Sequence, residues 1–144
     1  MCIRDSTWDT SLITDMSELF YYKYAFNDNI SNWDVSNVNN MSYMFYDAVS
    51  FNQDLSNWDV SSVTDMRYLF CGATSFNEDI GNWDVSKVID MKNMFAGATE
   101  FNQDISGWDV SSVTNMGGMI SDSFNQDIGA VSYTHLTLPT IYSV

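Results

Sequence analysis

The chain repeats itself every 25 residues, and that period limits what it can fold into more than any other property. The stretch FNQDLSNWDVSSVTDM at 51–66 returns as FNEDIGNWDVSKVIDM at 76–91 and as FNQDISGWDVSSVTNM at 101–116. Trp8, Trp33, Trp58, Trp83 and Trp108 keep the period, and so do Met16, Met41, Met66, Met91 and Met116. A fixed period of this size marks an array of units that cannot bury their own apolar side chains and share a core by stacking.

One unit can be read in detail. From Trp58 the apolar positions are Val60, Val63, Met66, Leu69, Phe70, Ala73, Phe76 and Ile80. The steps between Val63 and Ala73 predict a helical or 3₁₀ stretch, with Gly72 and Gly97 placed where such a stretch would stop. The segment Asn77 to Val85 predicts a short strand. A strand and a short helix in each 25-residue turn is leucine-rich-repeat arithmetic. The expected fold class is therefore α/β: a repeat solenoid of about five turns, each with a short parallel strand and a short helix or 3₁₀ segment.

The pattern W-D-V-S-x-V-x-x-M-x-x-M-F-x-x-A-x-x-F-N-x-D-I-x-N, running over residues 7–129, resembles the repeat of BspA-like leucine-rich-repeat surface proteins. Those are bacterial surface lipoproteins whose repeat was long held as a domain of unknown function. The resemblance implies a leucine-rich-repeat-like solenoid at a cell surface or secreted, used in adhesion or in binding a protein or glycan. It carries over no catalytic residue.

The repeat breaks at both ends. Lys23 replaces the small residue found at Ala48, Ala73 and Ala98, and Trp108 to Phe124 spans 16 residues where other turns span 18. Gly117 and Gly118 weaken the expected helical stretch of the last turn. The period calls for an aliphatic residue at 5 and a tryptophan at 131, but the chain has Asp5 and Val131. The codons that would spell VSYTHLTLPT resemble a transposase-based sequencing adapter, and MCIRD resembles the same adapter read from the other strand. Residues 1–6 and 131–144 are accordingly expected to be translated adapter around a repeat fragment at 7–130. His135, Pro139 and Cys2, each tempting as chemistry, fall in those tails.

Nineteen acidic residues against five basic ones give a formal charge of −14, which disfavours a nucleic-acid partner and an anionic membrane surface. No apolar run is long enough for direct membrane insertion. Outside the tails there is no histidine and a single cysteine, Cys71, so no nucleophile–base pair can be named and an enzyme is not expected. No cofactor is expected.

The remaining candidates are columns. Asp54, Asp79 and Asp104 form one acidic series, and Asp34, Asp59, Asp84 and Asp109 another. Each carboxylate is expected to accept backbone N–H groups in a turn, the alternative being Ca²⁺ held between turns. Asn52, Asn77 and Asn102 suit a ladder that satisfies turn backbone. Trp33, Trp58, Trp83 and Trp108 are read as the widest rung of the core, the alternative being an exposed ladder for sugars or a protein. Met41, Met66 and Met91, with Phe51, Phe76 and Phe101, are read as core. Outward positions such as Asn37, Ser62, Lys87 and Ser112 vary between turns. That variation favours a binding or adhesion surface over a passive spacer; a calcium-stabilised repeat module is the other alternative.

Overall fold

The computed structural model describes residues 8–128, so the tail assignments at 1–6 and 131–144 lie outside the described residues. The chain winds into coils of 25 residues: coil 1 (8–32), coil 2 (33–57), coil 3 (58–82), coil 4 (83–107) and a partial coil 5 (108–128). The expected α/β leucine-rich-repeat solenoid is not what forms. Among the described residues there is no helix, and extended pairing is reduced to isolated parallel bridges linking Asp15, Asn40, Asp65, Asp90 and Asn115 in succession.

Overlapping turns take the place of the helix. In coil 3 the N–H of Leu69 donates to Met66, that of Cys71 to Tyr68, that of Ala73 to Phe70 and that of Phe76 to Ala73. Each is a bond to the residue three back, which is why the apolar spacing imitates a helix. No helix propagates because Tyr68 and Gly72 have φ of +57° and +72°, the left-handed region, and a right-handed helix cannot pass through them. The expected strand at 77–85 is replaced by turns as well. Asn77 N–H bonds a side chain, Gly81 N–H bonds Asp79, and Trp83 N–H closes a turn onto Ile80.

The alternate residues of the same stretch tie the coils together. The N–H groups of Met66, Tyr68, Phe70 and Gly72 donate to the carbonyls of Asp90, Lys92, Met94 and Ala96 on the next coil, at 2.8–2.9 Å. The set repeats from coil 1 to coil 2 and from coil 2 to coil 3. Between coils 4 and 5 the ladder runs through Met91, Asn93 and Phe95, whose last rung is 2.7 Å to Met119.

Inside, the phenylalanines stack along the axis. Phe45 and Phe70 have centroids 5.4 Å apart at an interplanar angle of 2°, and Phe51 and Phe76 lie 6.0 Å apart at 10°. The two columns touch within each coil, with Phe70 and Phe76 at 4.0 Å. Met41, Met66 and Met91 are fully buried beside them. Offset-stacked rings of this kind contribute roughly 0.5–1.5 kcal/mol per pair beyond the area they bury.

The tryptophans are also inside, Trp33, Trp58, Trp83 and Trp108 being 4–5% exposed. Each of the last three donates its Nε1–H to a carbonyl 28 residues earlier: Trp58 to Ile30, Trp83 to Leu55 and Trp108 to Ile80, at 3.0–3.1 Å. Trp33 Nε1 has no such partner. Trp83→Phe should therefore destabilise the protein by about 1 kcal/mol more than Trp33→Phe, the packing loss being the same and the hydrogen bond being lost only in the first. Urea unfolding of both variants measures the difference, and equal losses would show that the indole bond contributes nothing.

Candidate functional site: the acidic columns and a tyrosine patch

The acidic columns are built into turns. Ser56 N–H donates to Asp54 Oδ1 at 2.8 Å, Gly81 N–H to Asp79 at 2.9 Å and Ser106 N–H to Asp104 at 2.9 Å. In the second series Ser61 and Ser86 give Asp59 and Asp84 both a backbone N–H and a hydroxyl, the latter at 2.6 Å. These bonds, the serine hydroxyl first and the backbone N–H second, hold the carboxyls of Asp34, Asp54, Asp84, Asp104 and Asp109 below the usual aspartate value. Asn29 makes the same bond to Ser31, so the position needs an acceptor and not a charge. Among the described residues no group of three or more His, Cys, Asp or Glu side chains is placed to hold a metal ion.

The asparagines form a chain along the axis. Asn52 N–H donates to Asn27 Oδ1, Asn77 N–H to Asn52, Asn102 N–H to Asn77 and Asn125 N–H to Asn102, at 2.8–3.0 Å. A third carboxylate series, at the bridge positions, escaped the sequence reading. Asp65 stands there, its carboxyl pushed up by burial and pulled back by the backbone N–H and the charge of Arg67, whose Nε lies 3.4 Å away. Asn40 and Asn115 interrupt the aspartates of this series, which leaves Asp65 and Asp90 as its one adjacent like-charged pair.

One surface is different. Tyr21, Tyr22, Tyr24, Tyr43, Tyr46 and Tyr68 come together across coils 1 to 3. Tyr43 stacks on Tyr68 at 4.6 Å and 8°, Tyr21 lies 5.1 Å from Tyr46, and Tyr22 meets Tyr46 edge-on at 5.5 Å. Tyr22 and Tyr24 remain 44% and 57% exposed. Coil 4 has Asn93, Ala96, Gly97 and Thr99 at the corresponding positions, so the patch ends there.

Three of these tyrosines occupy strained backbone. Tyr22, Tyr43 and Tyr68 have φ of +57°, +58° and +57°, where Gly97, Gly118 and Asn93 serve in later coils. A bulky residue in this region costs on the order of 1–2 kcal/mol. The hydroxyls of Tyr21, Tyr43 and Tyr46 stay protonated at neutral pH. A bond to Tyr22, then burial, pushes Tyr21 up to about 12; burial raises Tyr43; and the nearby Cys71, then burial, raises Tyr46. Burial, followed by the charge of Asp47, pushes the Cys71 thiol itself up to about 11, so it is no ready nucleophile.

Fold and surface together define a repeat protein of stacked, turn-built coils that carries one aromatic patch on an acidic body. The chain belongs to the family described as Mycoplasma protein of unknown function, DUF285, whose model matches residues 3–88 and again 55–138. This corrects the BspA-like leucine-rich-repeat assignment, since the matching family model is a different one and no strand-and-helix repeat is present among the described residues. No curated protein and no solved structure matches the chain. Among the described residues no helix is long and apolar enough to cross a membrane.

Two outcomes test the acidic columns. Thermal melts in millimolar Ca²⁺, in NaCl of equal ionic strength and in chelator should coincide; a rise confined to Ca²⁺ would place the ion between coils. On acidification, the carboxyls lowered in the fold stabilise it above their unfolded value of 3.8 and lose that contribution as pH falls through their lower folded values. Asp65, which is raised, acts the other way but stands alone against these five and against Asp9 and Asp15, which are also lowered. The midpoint should hold from neutral pH to about 5 and fall below about 4.

Proposed function

We propose that this protein is a non-catalytic binding scaffold, displayed at a cell surface, that engages a protein partner through the tyrosine patch of coils 1 to 3. The carrying observation is the strain at Tyr22, Tyr43 and Tyr68. Stability alone would favour glycine or asparagine there, as in coils 4 and 5, so the retained rings serve something other than folding. Tyrosine is also the side chain best suited to adaptable protein contacts, offering a rigid apolar body and a hydroxyl at low entropic cost.

Two other readings fit less well. A passive spacer has no use for tyrosine rings gathered on three coils, two of them exposed, and absent from the fourth. A glycan needs open ring faces, whereas the faces of Tyr43 and Tyr68 are spent on each other.

The experiment is selection of peptides from a random display library on the immobilised protein, followed by affinity measurement on variants. The double substitution Tyr22→Ser/Tyr24→Ser should weaken the selected peptides by at least about tenfold, the scale of one lost aromatic anchor. Ile89→Ser, a comparably exposed apolar site on coil 4, should leave them unchanged. Tyr22→Gly should lose binding while its thermal midpoint holds or rises, because the φ strain is relieved. Peptides that bind the double variant as well as the parent would overturn the proposal.

A further inference from the structure

Resting on that reading, the partner's chemistry can be narrowed. We infer that the tyrosine patch receives an extended protein segment carrying arginine or lysine, held between the rings and a frame of carboxylates. The frame comes from the winding of the chain. One column reads Glu18, Tyr43, Tyr68, and the adjacent column begins Tyr22, Asp47. All five of these residues have left-handed φ, from 53° to 59°. Tyr43 and Tyr22 therefore each have a carboxylate one coil away in their own column, Glu18 and Asp47, at about the spacing of neighbouring strands.

The amide ladder fixes this register. Glu18 N–H bonds Ser42, Tyr43 N–H bonds Arg67, Tyr22 N–H bonds Tyr46 and Asp47 N–H bonds Cys71, at 2.7–3.0 Å. The carboxylates act on the rings electrostatically: Glu18 on Tyr21, Asp47 on Tyr46, and Asp65 on Tyr43. Two cations also lie close. Arg67 is engaged by Asp65, and Lys23 is exposed between Tyr22 and Tyr24 in the chain. Glu18, Asp47 and Asp65 outnumber them, on a chain whose formal charge is −14.

The exposed rings of Tyr22 and Tyr24 attract a guanidinium or ammonium group, and adjacent carboxylates add a full charge to that attraction. The length of the patch argues for a segment over a small cation. Three coils at roughly 5 Å spacing put its outer rings about 10 Å apart, the reach of three or four extended residues. No ring pair closes into a cage around a single ammonium, and Tyr43 and Tyr68 are in stacking contact.

The test uses fluorescein-labelled peptides of about eight residues, alternating serine with arginine, lysine or glutamate, and measures anisotropy at low and at physiological salt. The arginine peptide should bind, the lysine peptide more weakly and the glutamate peptide not at all. Glu18→Gln/Asp47→Asn should weaken the arginine peptide about fivefold or more, as loss of a charge–aromatic contact implies. Asp104→Asn/Asp109→Asn removes the same charge from coils 4 and 5 and should have little effect. Asparagine keeps the Asp104 turn intact, as Asn29 shows at the same position of coil 1, and at 109 its Oδ1 can accept the same Ser111 N–H. Equal weakening by both pairs would mean that only the net charge attracts the peptide, and would overturn the inference. So would binding that survives Tyr22→Ser/Tyr24→Ser, or no binding by any cationic peptide. Tyrosine-dependent binding of the glutamate peptide would overturn the cationic partner and leave the binding scaffold standing.

Discussion

Every coil depends on amide protons that it cannot satisfy by itself. Within 66–73 the odd-numbered residues Leu69, Cys71 and Ala73 donate backwards into turns, whereas Met66, Tyr68, Phe70 and Gly72 donate forwards to the next coil. Without that forward ladder these four buried or half-buried N–H groups of coil 3 would be orphaned, at about 1–3 kcal/mol each. The alternation demands left-handed backbone at Tyr68 and Gly72, and the left-handed backbone in turn forbids a helix. The phenylalanine columns and the indole bonds then fill the interior that the ladder encloses.

Much of the core was legible in the sequence. Burial of the tryptophan, methionine and phenylalanine columns, and the turn-forming use of Asp54, Asp79 and Asp104, can be argued from side-chain type recurring at one spacing. The local backbone was not legible. Overlapping turns and a helix place apolar residues at the same steps, and the feature that separates them is the sign of φ at every fourth residue. The chain writes that position as Tyr22, Asp47, Gly72 and Gly97, so no one residue type announces it.

The tyrosine patch was missed for a related reason. Looking for what recurs finds the core, and the patch is made of what does not recur: Tyr22 aligns with Asp47, and Tyr43 with Glu18. A signal was available in plain composition. Of the eight tyrosines, six fall between residues 21 and 68, a density that a uniform repeat would not produce. In a repeat protein the regular positions describe the scaffold and the departures from them describe its use.

The forward ladder also has a mechanical meaning. Its bonds run along the axis of the stack, so a pull applied to the two ends passes through the interfaces in series, and they give way one at a time. A coil that lets go takes its indole bond and its side of the asparagine chain with it, then releases 25 residues, or roughly 80 Å of extended chain. Its neighbours keep their own turns and stacked rings. A stack made this way lengthens in steps under load, each step absorbing work before the next interface is reached.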